Sequence, residues 1–150
     1  MAVAVVEVST LRINIAELKR EVGRGLSVRV QGTFAPEDAA PVPCEAAVRL
    51  TNLGEAIAVE GQVTAVPRLT CSRCLETFEY PLVVRLDEEF SEHPDEDAFG
   101  YVGEVLDLGE AVRQALELAL PMRAVCGEDC RGLCPSCGHN LNQGPCGCSA

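Results

Sequence analysis

The sequence predicts an α+β fold: an antiparallel, barrel-like β-sheet with two short helices and a C-terminal cysteine-rich zinc knuckle. Apolar and polar residues alternate in several consecutive stretches, which is typical of strands that bury one face. Only two stretches have the apolar spacing of a helix. Six cysteines then lie within CGEDCRGLCPSCGHNLNQGPCGC, residues 126–148. We expect a β-rich core domain over residues 1–125 and a zinc-knuckle extension over residues 126–150.

The first predicted helix lies in LRINIAELKREVGRGL, where a strand leads into a short helical stretch. Asn14 can cap this helix, and Ile15, Leu18 and Val22 form an apolar stripe along it. The glycines that follow can end it.

The strands of the predicted sheet follow this helix. In LSVRVQGTF, apolar residues alternate with polar ones, and APEDAAPVPC at residues 35–44 then reads as a proline-rich loop. Pro81 has no N–H to donate and favours an edge or a bulge near its position. Because the connections are short and contain no helix, the strands should pair antiparallel. The further predicted strands cover residues 46–52, 56–66 and 76–90.

An acidic run and a second helix complete the core domain. Residues 87–110 contain ten acidic side chains and no Lys or Arg, as expected of a solvated loop. The second helix is predicted over residues 108–120, with Asp107 and Glu110 as a capping box and Arg113 paired with Glu117 on its exposed side. Its predicted buried face consists of Leu108, Val112, Ala115 or Leu116, and Ala119, and Pro121 ends it.

Composition narrows the functional classes. The 150 residues contain no apolar run long enough to span a bilayer, and the opening MAVAVVEV lacks the basic region of a signal peptide. We therefore expect a cytoplasmic protein, in which clustered cysteines bind metal more often than they form disulfides. A formal charge of −11 opposes non-specific binding to nucleic acid.

The cysteine spacing predicts two structural Zn²⁺ sites. Each CxxC pair can aim two sulfurs at one ion, and the eight paired cysteines divide into two sets of four. A closed shell of four thiolates leaves no coordination position for water, which favours a structural role. The predicted ligands are Cys71, Cys74, Cys126 and Cys130 for the first ion and Cys134, Cys137, Cys146 and Cys148 for the second.

Other interpretations of these residues are weaker. CxxxCxxC at residues 130–137 has the spacing of a radical-type iron–sulfur enzyme, but no large α/β barrel follows. A thioredoxin-like role for the upstream pair needs a strand-to-helix setting that its flanks do not offer. His139 could replace a cysteine ligand, whereas His93 should be solvated and Cys44 should be a buried or loop thiol. The acidic pairs at 87–89 and 95–97 lack an apolar pocket that would separate their pKa values.

Three motifs give the chain a resemblance to a known family. TCSRCLETFEYPL, then DLGEAVRQALELALPMRAVC, then CRGLCPSCGHNLNQGPCGC make the sequence similar to the bacterial YceD family, which also has chloroplast members. Members of that family are associated with accumulation of large-subunit ribosomal RNA, and their genes commonly neighbour that of a small zinc-ribbon protein of the large subunit. The resemblance implies a non-enzymatic ribosome-biogenesis factor.

Two kinds of partner are compatible with the residues. The acidic run could bind a basic large-subunit ribosomal protein, because opposite charges speed such encounters. The basic segment 11–33 could instead bind precursor large-subunit rRNA. We expect neither a membrane nor a small-molecule substrate, and a metal-dependent or thiol-redox enzyme acting on RNA or protein is the alternative function. The acidic candidates are Asp95, Glu96 and Asp97; the RNA-binding candidates are Arg12, Lys19, Arg20, Arg24, Arg29, Arg73 and Arg131.

Overall fold

The structure, a computed structural model, describes residues 11–37, 39–96 and 98–148, together with the backbone of residues 4 and 5. None of the helices in this part of the chain has the length and apolar character needed to cross a bilayer. In chain order the elements are β1 (Ala4–Val5), β2 (Arg12–Asn14), β3 (Gly25–Phe34), β4 (Val42–Asn52), β5 (Ile57–Ala65), β6 (Arg68–Thr70), β7 (Thr77–Glu79), β8 (Leu82–Ser91), β9 (Phe99–Gly100), β10 (Val105–Asp107) and helix α1 (Gly109–Ala119).

A six-stranded sheet in the order β1-β3-β4-β5-β8-β9 forms the body of the protein. The four long central strands are antiparallel, as the alternating sequence pattern predicts. The short strands β1 and β9 are parallel to their neighbours, so the sheet is mixed rather than wholly antiparallel. Two small antiparallel pairs, β2 with β10 and β6 with β7, stand outside this sheet.

The predicted barrel-like closure is absent from the described residues. The end strands β1 and β9 each pair with one neighbour and do not pair with each other. Closing a sheet requires a continuous hydrogen-bonded ladder between its first and last strands, and strands of two residues cannot supply one. The sheet therefore stays open.

The core lies between one face of the sheet and helix α1. Val112 and Leu116 of the helix are buried, as the apolar spacing predicts, and the helix packs mainly against β8. Within the sheet, β5 requires glycine at position 61, because a Cβ there would lie 2.1 Å from the carbonyl oxygen of Ala47 in β4. The largest fully buried side chains are those of Phe90, Ile15, Leu18, Leu50, Ile57, Leu86, Leu106, Leu108, Leu116, Val30, Val59 and Val63.

The predicted first helix is wrong. Residues Leu18–Arg20 form a single 3-10 turn, and Asn14, the predicted cap, accepts a hydrogen bond from the N–H of Ala16 at the end of β2. The reason is Asn52, whose Nδ2 donates to the carbonyl oxygens of Leu18 and Glu21 at 3.0 and 3.1 Å. Since these carbonyls bond to a side chain of β4, they do not build a helical ladder.

The prediction of a solvated loop over residues 87–110 is wrong, because this segment includes the end of β8 and the short strands β9 and β10 and buries Phe90, Leu106 and Leu108. Two boundaries also differ from the sequence prediction. The predicted strand 76–90 is two strands, β7 and β8, which are separated at Tyr80 and Pro81 because the proline interrupts the ladder. Helix α1 begins at Gly109, whose N–H donates to Asp107 Oδ1 at 2.8 Å. Glu110 does not complete the predicted capping box, since its carboxylate binds Arg113 and Gln114.

Candidate metal centre

The structure brings the eight paired cysteines together in two groups of four. Within each group all four sulfur atoms lie within 4.8 Å of one another. The first group joins the turn between β6 and β7 to the segment that follows α1. The second group lies wholly within the C-terminal segment. The groups are Cys71, Cys74, Cys126 and Cys130, and Cys134, Cys137, Cys146 and Cys148.

The first CxxC pair sits on a tight turn at the tip of the β6–β7 hairpin. The N–H of Cys71 donates to the carbonyl oxygen of Glu76 at 2.8 Å, and the N–H of Leu75 donates to the carbonyl oxygen of Cys71 at 2.9 Å. Leu75 has a φ of 61°, and among the described residues it is the only non-glycine in the left-handed region. Such a conformation costs a leucine about 1–2 kcal/mol. The hairpin therefore carries local strain, and both sulfurs of its CxxC pair lie beside those of Cys126 and Cys130.

The second CxxC pair repeats this turn with glycine in the strained position. The N–H of Cys134 donates to the carbonyl oxygen of His139 at 2.8 Å, and the N–H of Gly138 donates to the carbonyl oxygen of Cys134 at 2.9 Å. Gly138 has a φ of 76°, close to that of Leu75 in the first turn. The two pairs are thus equivalent knuckles, each of which supplies half of a four-sulfur group.

Sulfur spacing in the first group fits a tetrahedral metal site. Cys71 Sγ lies 3.6 Å from Cys130 Sγ, and Cys74 Sγ lies 3.7 Å from Cys126 Sγ. Zn–S bonds of about 2.3 Å in a tetrahedron separate the sulfurs by about 3.8 Å, whereas a disulfide needs about 2.05 Å. The residues present therefore fit a zinc ion held by four thiolates.

Backbone N–H groups surround the sulfur of Cys71. Those of Arg73 and Cys126 both lie 3.4 Å from Cys71 Sγ. Burial raises the pKa of this thiol, but the N–H groups of Cys74, Cys126 and Arg73 outweigh burial and bring the pKa down from 9.0 to about 6. The hydrogen bond with Cys130, followed by burial, raises the pKa of Cys126 to about 12. A divalent cation held by these sulfurs would favour the ionised form of all four thiols.

Asn142 connects the C-terminal segment to the first sulfur group. Its Nδ2 donates to Cys130 Sγ at 3.3 Å, and its Oδ1 accepts from the N–H of Arg131 at 2.8 Å. The bond from Asn142 is also the main cause of the lowered pKa of Cys130. Sequence reasoning missed this residue, and the signal that could have found it is the polar motif NLN directly after the second knuckle.

The two groups also meet through backbone. Gly132, with a φ of 78°, faces the Arg73 carbonyl oxygen so closely that a Cβ would lie 3.3 Å from it. The Arg73 guanidinium donates to the carbonyl oxygen of Cys130 at 3.3 Å. Both contacts hold the segment between Cys130 and Cys134 against the first knuckle.

The second group is more open to solvent than the first. Cys71 and Cys74 are 0% and 4% exposed, whereas Cys137 and Cys148 are exposed. Backbone N–H groups, that of Cys137 above all, lower the pKa of Cys134 to about 6. Because Cys137 and Cys148 are exposed, water can reach the second group more readily than the first.

The other histidine and cysteine candidates lie outside both groups. His139 Nε2 is 3.2 Å from the carbonyl oxygen of Gly144, where the ring bonds to the backbone. His93 is exposed, and Cys44 is buried in the main core, where burial raises the pKa of its thiol.

The predicted RNA-binding residues of segment 11–33 are all in ion pairs. Lys19 is tied most firmly, because its Nζ lies 2.5 Å from Glu92, bonds to the carbonyl oxygen of Gly103 and lies over the Tyr101 ring. The remaining pairs are Arg12 with Asp107, Arg20 and Arg24 with Glu17, and Arg29 with Glu45. Arg73 and Arg131 lie beside the first sulfur group, and both are exposed.

Two of the three predicted acidic contacts lie on the surface. Asp95 and Glu96 are exposed in the loop between β8 and β9. Asp97 lies outside the described residues.

Comparison with known proteins gives related sequences but no related solved structure. An uncharacterized protein of Mycobacterium tuberculosis is 36% identical over 106 residues, which cover 65% of this chain and 51% of the relative. An uncharacterized protein of Mycobacterium leprae is 32% identical over 108 residues, covering 66% and 49% of the two chains. The "Large ribosomal RNA subunit accumulation protein YCED homolog 1, chloroplastic" of Arabidopsis thaliana is 26% identical over 164 residues, covering 87% and 50%. No solved structure matches.

The chain thus spans about half the length of the curated relatives that it matches. A family model described as "Large ribosomal RNA subunit accumulation protein YceD" matches residues 59–150, which include all eight cysteines of the two sulfur groups. Since this match covers more than half of the chain, the protein belongs to the YceD family.

Proposed function

We propose that this protein is a non-enzymatic factor that supports accumulation of large-subunit ribosomal RNA, and that its two sulfur groups are structural Zn²⁺ sites. The observation that carries the proposal is that each group gathers four cysteine sulfurs within 4.8 Å of one another, with tetrahedral spacing in the first group. Four thiolates complete the coordination of zinc and leave no position for a reacting water. A metal-dependent or thiol-redox enzyme is therefore the weaker candidate.

Bound zinc would cross-link segments that are distant in the chain. Cys71 and Cys74 would hold the β6–β7 turn to Cys126 and Cys130. The second ion would fold a C-terminal segment that contributes no side chain to the main core. In metal analysis we expect about two zinc ions per chain, and a colourless protein would exclude an iron–sulfur cluster.

We further propose that the partner is a basic large-subunit ribosomal protein, which binds an acidic surface on β8 and the loop after it. Asp87 and Glu89 are exposed on β8, and Glu60 of β5 lies directly opposite Asp87. Like charges directly opposite each other destabilise a sheet, and a basic partner would remove that cost. Asp95 and Glu96 extend this acidic surface into the loop.

The aromatic residues support a protein partner over single-stranded RNA. The chain has four Phe, two Tyr and no Trp, and all six rings are buried or half-buried. Proteins that bind unpaired bases usually stack them on exposed aromatic rings. This surface offers no such ring.

Complementation of a deletion strain tests the proposal. Loss of the gene should lower large-subunit rRNA relative to small-subunit rRNA, and the wild-type gene should restore it. The double variant Asp87→Lys, Glu89→Lys should fail to restore it, because attraction becomes repulsion. Glu37→Lys, Glu79→Lys, at exposed positions outside β8 and the loop after it, is the matched control and should restore it. Full rescue by the β8 variant would contradict the acidic-surface proposal.

RNA contact is the second candidate, and one observation favours it. Arg73, Arg123 and Arg131 are exposed near the first sulfur group, and no ion pair with a described residue neutralises them. The N–H of Ser72 donates to the carbonyl oxygen of Ala124 at 2.8 Å, which holds the segments that contain Arg73 and Arg123 together. Crosslinking of precursor rRNA at these arginines, with loss of every protein partner after nuclease treatment, would favour this candidate.

A further inference from the structure

We propose that the outer edge of β8 binds an extended basic polypeptide segment, which adds to the sheet as a further strand beside Val83, Arg85, Asp87 and Glu89. This inference rests on the proposed function and deepens it, because it names the binding mode and the chemistry of the partner segment. Strand addition draws affinity from main-chain hydrogen bonds and specificity from alternate side chains.

The direction of each backbone group in β8 follows from the hairpin between β4 and β5. In an antiparallel ladder, pairs that exchange hydrogen bonds alternate with pairs that do not. The N–H of Leu53 donates to the carbonyl oxygen of Ala56 at 2.8 Å, so this pair is hydrogen-bonded. Counting along the unbroken register, the even-numbered residues 58–64 of β5 bond to β4. The odd-numbered residues of β5 therefore bond to β8.

The register between β5 and β8 carries this alternation one strand further. The odd-numbered residues of β5 face the even-numbered residues of β8, from Leu82 to Phe90. Those β8 residues use their N–H and C=O groups toward β5. The groups of Val83, Arg85, Asp87 and Glu89 consequently point away from the sheet.

Within the described part of the chain, the outer edge of β8 is unpaired along most of its length. Strand β9 pairs with β8 only at Phe90 and Ser91. Ser91 shows how the edge is used, since its carbonyl oxygen accepts from the N–H of Tyr101 at 3.1 Å. For residues 83–89, no backbone hydrogen bond from the outer side comes from the described part of the chain. An added strand would continue the bonding that Ser91 begins.

Charge selects a basic segment as the added strand. The four outward residues also expose their side chains, and Val83 is 67% exposed. Asp87 and Glu89 occupy alternate positions along the edge, and Glu60 of β5 lies beside Asp87 on the same face of the sheet. A strand with Lys or Arg opposite Asp87 and Glu89 would pair with these carboxylates, whereas the position opposite Arg85 would suit an apolar or acidic residue. A second copy of this chain would instead add its own acidic strand and a net charge of −11.

A synthetic strand provides the test, with the full-length, zinc-loaded protein as receptor. The probe is a blocked peptide of alternating valine and lysine, followed by NMR. The outward amides of Val83, Arg85, Asp87 and Glu89 should exchange rapidly with solvent in the free protein and become protected on binding. The amide of Leu86 already bonds to β5 and should not change. Absence of peptide binding, or protection elsewhere in the chain, would overturn the inference.

Backbone methylation separates strand addition from charge attraction alone. Two further peptides carry N-methyl groups on every lysine or on every valine, so that each loses the donors along one of its edges. One of them should bind at least about tenfold more weakly than the other, because its blocked edge faces β8. Equal binding by both would overturn the inference, since attraction by charge does not depend on which edge is methylated.

Charge reversal tests the selection of a basic segment. Asp87→Lys should weaken binding of the unmethylated peptide about threefold, whereas Glu37→Lys, the same change at an exposed position in the loop between β3 and β4, should not. Equal affinity of the two variants would overturn the charge argument. Outward amides that are protected in the free protein in a concentration-dependent way would show that a second copy occupies the edge instead.

The inference and the proposed function can fail separately. If a basic ribosomal protein is captured through Asp87 and Glu89 while the outward amides stay unprotected, only the strand-addition mode is wrong. If reversing these charges leaves both capture and rRNA accumulation unchanged, the acidic-surface proposal is wrong as well.

Discussion

Removal of one ligand from each sulfur group should affect the protein very differently. In the wild-type protein, the first group closes a long loop of the chain between Cys74 and Cys126. Cys71→Ser removes one ligand from this group. By the chain-entropy relation, cross-linking a loop of that length stabilises the folded state by about 4 kcal/mol. Cys146→Ser opens a short loop after Cys137, for which the same relation gives about 2.5 kcal/mol, confined to the C-terminal segment.

Urea unfolding distinguishes these effects, because the protein carries a natural reporter of its core. There is no Trp, and Tyr80 and Tyr101 both pack against the main core. Near-ultraviolet circular dichroism of the tyrosines therefore follows the core rather than the C-terminal segment. In zinc-containing buffer, Cys71→Ser should lower the free energy of unfolding by about 4 kcal/mol, and Cys146→Ser should change it by less than about 0.5 kcal/mol.

Two outcomes would refute this reasoning. If Cys71→Ser leaves the tyrosine transition unchanged, the first group does not hold the core together. If Cys146→Ser lowers the core stability as much as Cys71→Ser does, the two groups are not independent units. Zinc content of each variant is the control: each should lose one ion and keep the other.

Three further predictions concern the metal shell, the sheet and pH. Asn142→Leu should lower the zinc affinity of the first group about tenfold or more, measured by competition with a chelator, whereas Gln143→Leu on the same turn should not; equal affinities would exclude a role for the bond to Cys130 Sγ. Gly61→Ala should lower the free energy of unfolding by about 1–3 kcal/mol, because its Cβ would lie 2.1 Å from a carbonyl oxygen of β4, and an unchanged urea midpoint would contradict that contact. In reduced, metal-free protein, the pKa of Cys71 is about 6 in the folded state against an ordinary value of 9.0. The stability that this thiolate contributes is therefore absent below pH 6, rises with pH and is complete above pH 9. A urea midpoint that decreases as the pH is raised from 6 to 9 would contradict this shift.

The sequence predicted the two groups of four cysteines because half of the first group and all of the second have local geometry. A CxxC turn fixes two sulfurs in each group, and in the second group CxC adds the other two from the same segment. Asn142 was not predicted, since its bond to Cys130 depends on how the second knuckle packs against the first. The first helix failed for a similar reason: Asn52, far along the chain, binds the carbonyl of Leu18.

Net charge was readable from the sequence, but its distribution was not. The segment 11–33 has a local excess of basic residues, and this excess suggested an RNA contact. In the fold, all five of its basic side chains lie beside carboxylates, some of them distant in sequence, as Lys19 is from Glu92. Each basic side chain of this segment is therefore paired with a carboxylate of the same chain. Asp87 and Glu89, in contrast, form no ion pair with a described residue. Because Asp87 and Glu89 lie along a strand edge that no described residue pairs with, the same few residues offer a partner both opposite charge and free backbone groups.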